Sequence, residues 1–498
     1  MKIISKSKFV SGSQCLKKLH FDFYRKDLKS EVTTEQQARF DAGHEIGKLA
    51  QQVFPNGNDA TENFDDNWGL AIKRTTEWIA SGIQTIYEAS FSHSGGFAAL
   101  DILHQTPTER WAIEVKSSAE LKDYYFTDAA FQYWVLDKCG VKPDRFFLMH
   151  LNENYTKIGN VNPEELFVLT DITEQILKLQ DETGNKLERF QTMLLKQEEP
   201  SITIGKHCNA MPYECSYKHH CWQHIPENSV FELYRGGQKS WSLFDKGIIQ
   251  LAEIPEDEKL SKRQELQVNG IKFNQEFKDK KGITNFVNSL KYPLYFFDFE
   301  TIAPAIPILD GTRPFEKVPF QYSLHILSAP NAPLVHKEFI ANPNYFNTTG
   351  SIDPRLQLLN QLMNDIGPDG SILVYYAPFE KGVLNLLKKG FPNYAQFING
   401  MLERIMDLHE PFKEGLMYLP SMGKSASIKY VLPALAPEFS YANLEINNGN
   451  LASTLFLEKV KGIFSGNWKK THRHLLDYCE RDTLGMVVLY EKLLEETK

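Results

Sequence analysis

Several absences bound this sequence before any motif is read. No apolar run reaches the ~20 residues that a membrane-crossing helix requires, because every candidate is soon broken by a charge. The opening MKIISKSKFVSGSQC starts positively but carries neither a long apolar stretch nor a small-residue cleavage site. No secretory signal is therefore expected, no membrane association, and the expected compartment is the cytoplasm. Internal repeats and low-complexity segments are missing, which argues against a solenoid or a fibre. A basic surplus is missing as well: 55 Lys and Arg face 63 Asp and Glu, a net charge of −8. Nucleic-acid binders usually carry a basic footprint. Clusters of acidic metal ligands would depress the total, however, and bound cations would invert the sign locally. Finally, the six cysteines include no C-x-x-C pair.

What is present is an ordinary globular composition, 42% hydrophobic and 24% charged over 498 residues. That length exceeds one core and predicts two or three domains. Residues 1–225 alternate helical and strand-like segments and hold five of the six cysteines. Residues 226–290 are more polar and predict a small helical connector, with a helix–turn–helix-like element around SLFDKGIIQLAEI. Residues 291–498 open on the aromatic strand LYFFDFETI and run to a charged C-terminal helix. The expected class is α/β.

The segment FAALDILHQTPTERWAIEVKSSA predicts two strands joined at Thr106-Pro107-Thr108. Asp101 lies on the first, Glu114 and Lys116 on the second. A side-chain period of two puts Glu114 and Lys116 on one face, with Ile113 and Val115 on the other. Two carboxylates can hold Mg²⁺ or Mn²⁺, and the ammonium can orient water or stabilise charge developing at phosphorus. A surface hairpin with a salt bridge is the bland alternative. Against it, these charges interrupt an apolar strand, where unpaired charge is costly. The order hydrophobic-Asp, then Glu-x-Lys, resembles the PD-(D/E)XK nuclease core. The resemblance implies further roles for His44 in DAGHEIGKLA as a metal ligand, for Glu88 in TIYEASF, and for Gln132 in AAFQYW. Taken alone, His44 would be a solvated or packed histidine and Gln132 a helix-surface residue.

Cys208, Cys215 and Cys221 sit close together in GKHCNAMPYECSYKHHCW, with Cys15 far upstream. Without secretion signals, such a set suggests a metal site more than disulfides. Four thiolates suit tetrahedral Zn²⁺ or a [4Fe–4S] cluster. One distant cysteine plus a C-terminal trio resembles the iron–sulphur RecB-like nucleases, including the AddB type and CRISPR-associated relatives. That resemblance implies an iron–sulphur cluster joining the two ends of the domain. Lys206, His207, Tyr213, Tyr217, Lys218 and Trp222 crowd the trio; they either grip a single strand by stacking and phosphate contacts or pack over the cluster. Cys139 and Cys479 read as ordinary thiols.

In LYFFDFETI, Asp298 and Glu300 share one strand face, and Phe297 and Phe299 the other. Paired carboxylates on a central strand are expensive to bury unless they hold cations. Near the C-terminus, HRHLLDYCERDTLGMVVLYEKL has helical periodicity and puts Tyr478 and Asp482 on one face. Between them ILVYYAPFEKGVLNLL predicts a buried strand entering a helix, with Glu380 at the junction. This order resembles the DEDD exonucleases, an RNase H-like superfamily. Asp298 and Glu300 fit its first motif, and Tyr478 with Asp482 fits the third motif of its tyrosine subtype; Asp477 stands where the histidine subtype has histidine. Asp407 in RIMDLHEPF matches a further acidic position that is often structural. The second motif departs: Glu380 stands where the superfamily has aspartate, one methylene shorter. A longer ligand would weaken a Mg²⁺ site or favour Mn²⁺.

Together the two resemblances cover nearly the whole chain. YFFDFETI, VPFQYSLH, SIKYVLPAL and YCERDT look like blocks of a bacterial family that fuses RecB-like iron–sulphur and DnaQ-like domains. They imply a restriction-endonuclease-like domain, a helical connector and an RNase H-like domain, with two metal-dependent sites cutting nucleic acid, DNA before RNA. The competing expectation is a nucleic-acid-binding or assembly protein whose second domain is a degenerate platform.

Overall fold

Alternating apolar residues fold into two main sheets, one in each half of the chain. In the computed structural model, which describes residues 1–209, 214–346, 353–439 and 444–498, the chain is mixed α/β. It divides into two units, residues 1–224 with 305–307, and residues 225–304 with 308–498.

The first unit contains β1 (Ile4–Ser5), β2 (Asn58–Asp59), β3 (Thr85–His93), β4 (Gly96–Gln105), β5 (Arg110–Lys116), β6 (Arg145–Leu151) and β7 (Phe167–Asp171). Their order is β2-β3-β4-β5-β6-β7, with β1 alongside β4. β3, β4 and β5 form an antiparallel meander, whereas β6 runs parallel to β5 after a crossover through helix Asp123–Lys138. Strand alternation sorts the meander onto two faces. Leu103 and Ala112 join the core under the Asp123–Lys138 helix, with Phe131 and Leu136. Ile102 and Ile113, paired across β4 and β5, join Ile46 and Ala50 of helix Thr34–Gln51 in a second core. Asp101, Glu114 and Lys116 thus fall on the face covered by Asp123–Lys138.

The second unit contains β8 (Phe277–Lys278), β9 (Leu294–Ile302), β10 (Val318–Leu327), β11 (Leu334–Ile340), β12 (Ser371–Val374), β13 (Ile405–Asp407) and β14 (Met417–Tyr418). Five of them form a mixed sheet in the order β11-β10-β9-β12-β13, and β8 pairs with β14. β9, β10 and β11 are antiparallel; β12 is parallel to β9 and to β13. One face, with Tyr295, Phe297, Phe299 and Tyr322, packs on helices Pro354–Asp365, Ala377–Gly390 and Ala395–Arg404. The other, with Phe296 and Phe320, receives the long helix Trp468–Glu495 through Leu475, Tyr478 and Met486.

Residues 226–290 lie within this second unit and are largely helical, with helices Gly237–Asp245, Lys262–Phe273 and Lys280–Ser289. SLFDKGIIQLAEI does not form a helix–turn–helix element. Gly247, at φ +81°, ends the first helix, and the chain resumes only as a short 3₁₀ turn, Leu251–Glu253. Among the described residues no helix is long and apolar enough to cross a membrane.

Candidate functional site

On the β4–β5 hairpin, Asp101, Glu114 and Lys116 come together. The Asp101 carboxylate accepts a 2.6 Å bond from the Val115 backbone N–H. Lys116 Nζ donates to Glu114 Oε1 at 2.9 Å and to Asp128 Oδ2 at 2.6 Å. The fully buried Gln132 donates from Nε2 to Glu114 Oε2 at 2.8 Å. Two of these partners went unread in the sequence. Asp128 lies one helical turn before Gln132, a spacing that would have exposed it. Lys6, from the N-terminal helix Lys6–Gln14, places Nζ 2.8 Å from Glu114 Oε1 and 3.7 Å from Asp101 Oδ1.

The charges follow from this packing. Burial would raise the Glu114 carboxyl, but Lys116 and then Lys6 outweigh it and hold it at about 2. Burial, and next the Glu114 charge, push Asp101 up to about 6. Glu88, on β3 with φ +51°, rises to about 8 through burial and then Asp101. The acids outnumber the two lysines, so this oxygen-rich set fits a hard divalent cation, with Asp101 and Glu114 as holders. Lys6 is the cation already touching both.

His44 is not brought into this group. It is exposed on Thr34–Gln51, whose buried residues pack on the Ile102–Ile113 face. That is the face opposite Asp101 and Glu114, which period-two alternation dictates. Among the described residues no hydrogen bond or ion pair joins His44 to either carboxylate.

Cys15, Cys208, Cys215 and Cys221 line one cavity of about 380 Å³, its open mouth included, together with Lys17, Lys18 and His207. Cys15 sits at the break between helices Lys6–Gln14 and Leu16–Tyr24. Burial raises the Cys215 and Cys221 thiols; Cys15 and Cys208 push both further up, and Cys215 also acts on Cys221. Four sulphur donors with two lysines beside them fit a thiolate-bound metal centre whose negative charge needs balancing. Of the aromatic residues nearby, Tyr217 is buried against Phe21 and donates its hydroxyl to Asp22 at 2.8 Å, so it packs rather than offering a stacking face. Lys218 lies 4.9 Å from the Trp222 ring centre. Tyr213 lies outside the described residues.

In the second unit, Asp298, Glu300 and Asp482 each place a carboxylate oxygen within 4.8 Å of the others. Asp298 and Glu300 project from β9 and Asp482 from Trp468–Glu495. Burial first, and Asp482 next, raise Asp298 well above the usual carboxylate range; Glu300 rises through burial and then Asp298. Glu380, in the first turn of Ala377–Gly390, is pushed up to about 9 by burial and then by Asp298. Its Oε2 is buried with no hydrogen-bond partner. Such crowding of oxygen donors fits Mg²⁺ or Mn²⁺.

Asp407 plays the structural part. Its carboxylate accepts from the backbone N–H groups of Tyr376 (2.9 Å), Ala377 (3.0 Å) and His409 (3.0 Å), anchoring the start of the helix that carries Glu380. Tyr376 enters that helix at φ +82°, a strained value for a bulky residue. Asp477 pairs with Arg473 at 2.7 Å. Tyr478 is buried one turn before Asp482, and a Cβ at Gly449 would lie 3.9 Å from its hydroxyl and 3.4 Å from Glu300 Oε2. Cys479 is less isolated than its sequence context suggested: its thiol is buried, 3.7 Å from Asp298 Oδ2. Cys139 donates weakly to the Ser92 carbonyl at 3.5 Å.

Residues 295–427 match the family described as Domain of unknown function (DUF2779). That stretch begins on β9 and contains Asp298, Glu300, Glu380 and Asp407, and it stops before Tyr478 and Asp482. The chain is also similar to the Uncharacterized protein MG366 homolog of Mycoplasma pneumoniae, 28% identical over 239 residues, 44% of this chain and 35% of that protein. It resembles the Uncharacterized protein MG366 of Mycoplasma genitalium at 26% over 222 residues, 40% of this chain and 32% of the relative. Uncharacterized protein UU173 of Ureaplasma parvum is 25% identical over 252 residues, 45% and 35% of the two chains. These matches span about a third of each relative's length.

Proposed function

We propose that this chain is a metal-dependent nuclease hydrolysing phosphodiester bonds of DNA, with RNA as the second candidate polymer. The observation that carries the reading is the convergence of Asp298, Glu300 and Asp482 beside the unpartnered Glu380 oxygen. So much buried carboxylate in one place opposes folding unless cations neutralise it. Asp298, Glu300 and Asp482 would hold Mg²⁺ or Mn²⁺, which supplies, when bound, an activated water and neutralisation of the leaving oxygen. Tyr478 offers a hydroxyl on the same helix face for positioning that water. Asp407 fixes the helix start from which Glu380 reaches in.

An RNase H-like fold for the second unit accounts for the mixed sheet with the strand that carries Asp298 and Glu300 at its centre. A PD-(D/E)XK fold for the first accounts for the hairpin carrying Asp101, Glu114 and Lys116 under the Gln132 helix. There, Asp101 and Glu114 would be the ion's holders, and Lys116 the cation facing charge at phosphorus. The four cysteines would hold a [4Fe–4S] cluster, with a zinc ion as the alternative occupant.

Glu380 favours one alternative. It stands outside the tight three-carboxylate group, as it would in a second unit that binds nucleic acid without cutting it. End-labelled single- and double-stranded DNA and RNA, incubated with the protein in Mg²⁺ and in Mn²⁺, test the proposal. Stepwise shortening from the 3′ end that Asp298→Asn abolishes supports it. Intact substrates under every condition sink it.

A further inference from the structure

A second ligand set lies on the same sheet, in residues to which the proposed nuclease chemistry gives no role.

 In it, His325, His336 and Glu480 each offer one ligand atom, all within 4.8 Å of one another. His325 and His336 face each other across β10 and β11 as paired residues, their rings stacked with centroids 4.5 Å apart. Glu480 comes from the Trp468–Glu495 helix, its Oε1 3.8 Å from His336 Nδ1. That separation is too long for a hydrogen bond. It is close to the ~3.3–3.5 Å between ligand atoms that share a tetrahedral ion at bond lengths of about 2.0–2.2 Å.

Both rings are oriented from behind. His325 Nδ1 lies 2.8 Å from Thr483 Oγ1, and His336 Nε2 lies 2.9 Å from Ser323 Oγ. The two hydroxyls are themselves 2.7 Å apart. This is the outer-shell arrangement that fixes metal-binding histidines: one nitrogen is held by a polar partner, and the other is presented to the ion. Here His325 presents Nε2 and His336 presents Nδ1. Arg473 approaches Glu480 through the other oxygen, Oε2, at 3.8 Å, leaving Oε1 turned to the histidines.

We propose that His325, His336 and Glu480 form a three-ligand site for a borderline divalent cation of the zinc class, distinct from the hard-cation triad. Imidazole donors select Zn²⁺, Co²⁺ or Ni²⁺ over Mg²⁺. The ion ties the β10–β11 hairpin to the helix that carries Tyr478 and Asp482, and so braces the neighbouring triad from outside.

Co²⁺ is the probe, added to the full chain, because its visible bands report ligand type and Zn²⁺ displaces it. In the wild-type protein one equivalent should show nitrogen–oxygen bands, separable from the intense near-ultraviolet absorption that any Co²⁺ on the four cysteines would give. Zn²⁺ should remove those bands, and a large excess of Mg²⁺ should not. His336→Gln should abolish the bands, whereas Asp298→Asn and Cys15→Ser should keep them. Glu480→Gln, a half-exposed and conservative change, should weaken Co²⁺ binding ~10–100-fold while the fold is retained. Bands that survive His336→Gln, bands that vanish with Asp298→Asn, or no such bands in the wild type would overturn the proposal.

Discussion

Replacing Glu380 by glutamine separates the stability effect of one buried carboxylate from its chemical one. In the folded chain Glu380 titrates at about 9, against 4.5 for the ordinary side chain. Between those values the folded state holds a proton that the unfolded state has released, so stability falls as pH rises through this window. Below 4.5 the penalty is absent. At pH 7 the accumulated penalty is about 3 kcal/mol, at ~1.4 kcal/mol per pH unit. Glutamine keeps the shape and removes the titration. The metal-free Glu380→Gln protein should therefore match the wild type near pH 4.5 and exceed it by about 2–3 kcal/mol at pH 7. Urea denaturation in the presence of a chelator, followed between about pH 5 and 8, measures the difference directly. The same variant should lose most exonuclease activity, trading function for stability. A difference that does not change with pH, or a variant less stable at pH 7, refutes the reasoning.

Cys15→Ser should give protein lacking iron and labile sulphide, with a first unit that melts earlier, because metal affinity there is also folding energy; iron and sulphide analysis after anaerobic purification checks it, and stoichiometric zinc without sulphide contradicts it. Lys116→Met should cost about 3 kcal/mol, since it takes the cation from Asp128, leaving that carboxylate a 3.3 Å bond from Gln132, and leaves Glu114 with Lys6 as its cation; denaturant unfolding reads the loss alongside cleavage. Glu114, held at about 2, adds stability above 4.5 that fades as pH falls toward 2, and this acid-side contribution should shrink in the same variant. Asp407→Ala removes the acceptor of three backbone N–H groups and should cost about 1–3 kcal/mol while slowing the second site, although no metal holder is touched.

Much of the site framework was legible because it is local. Period-two alternation marked β5 and β9, and period-four spacing marked Tyr478 with Asp482. What lay beyond reach was long-range. Lys6 meets Glu114 across 108 residues, and Cys479 meets Asp298 across 181. His44 shows the same limit from the other side: its helix was readable, but not which sheet face that helix would cover. The His325–His336 pair depends on the register of β10 against β11, which neither strand carries alone.

The central claim is that two independent centres in this chain cut phosphodiester bonds. The most direct test compares wild type, Asp101→Asn, Asp298→Asn and the double variant on end-labelled DNA and RNA in Mg²⁺ and in Mn²⁺. Asp101→Asn keeps an acceptor for the Val115 N–H, so the first unit should remain folded. Each single variant should lose a different product pattern, with stepwise 3′ shortening assigned to Asp298, and the double variant should be inert. Cleavage that persists undiminished in the double variant, or that is absent from the wild type, would contradict the account.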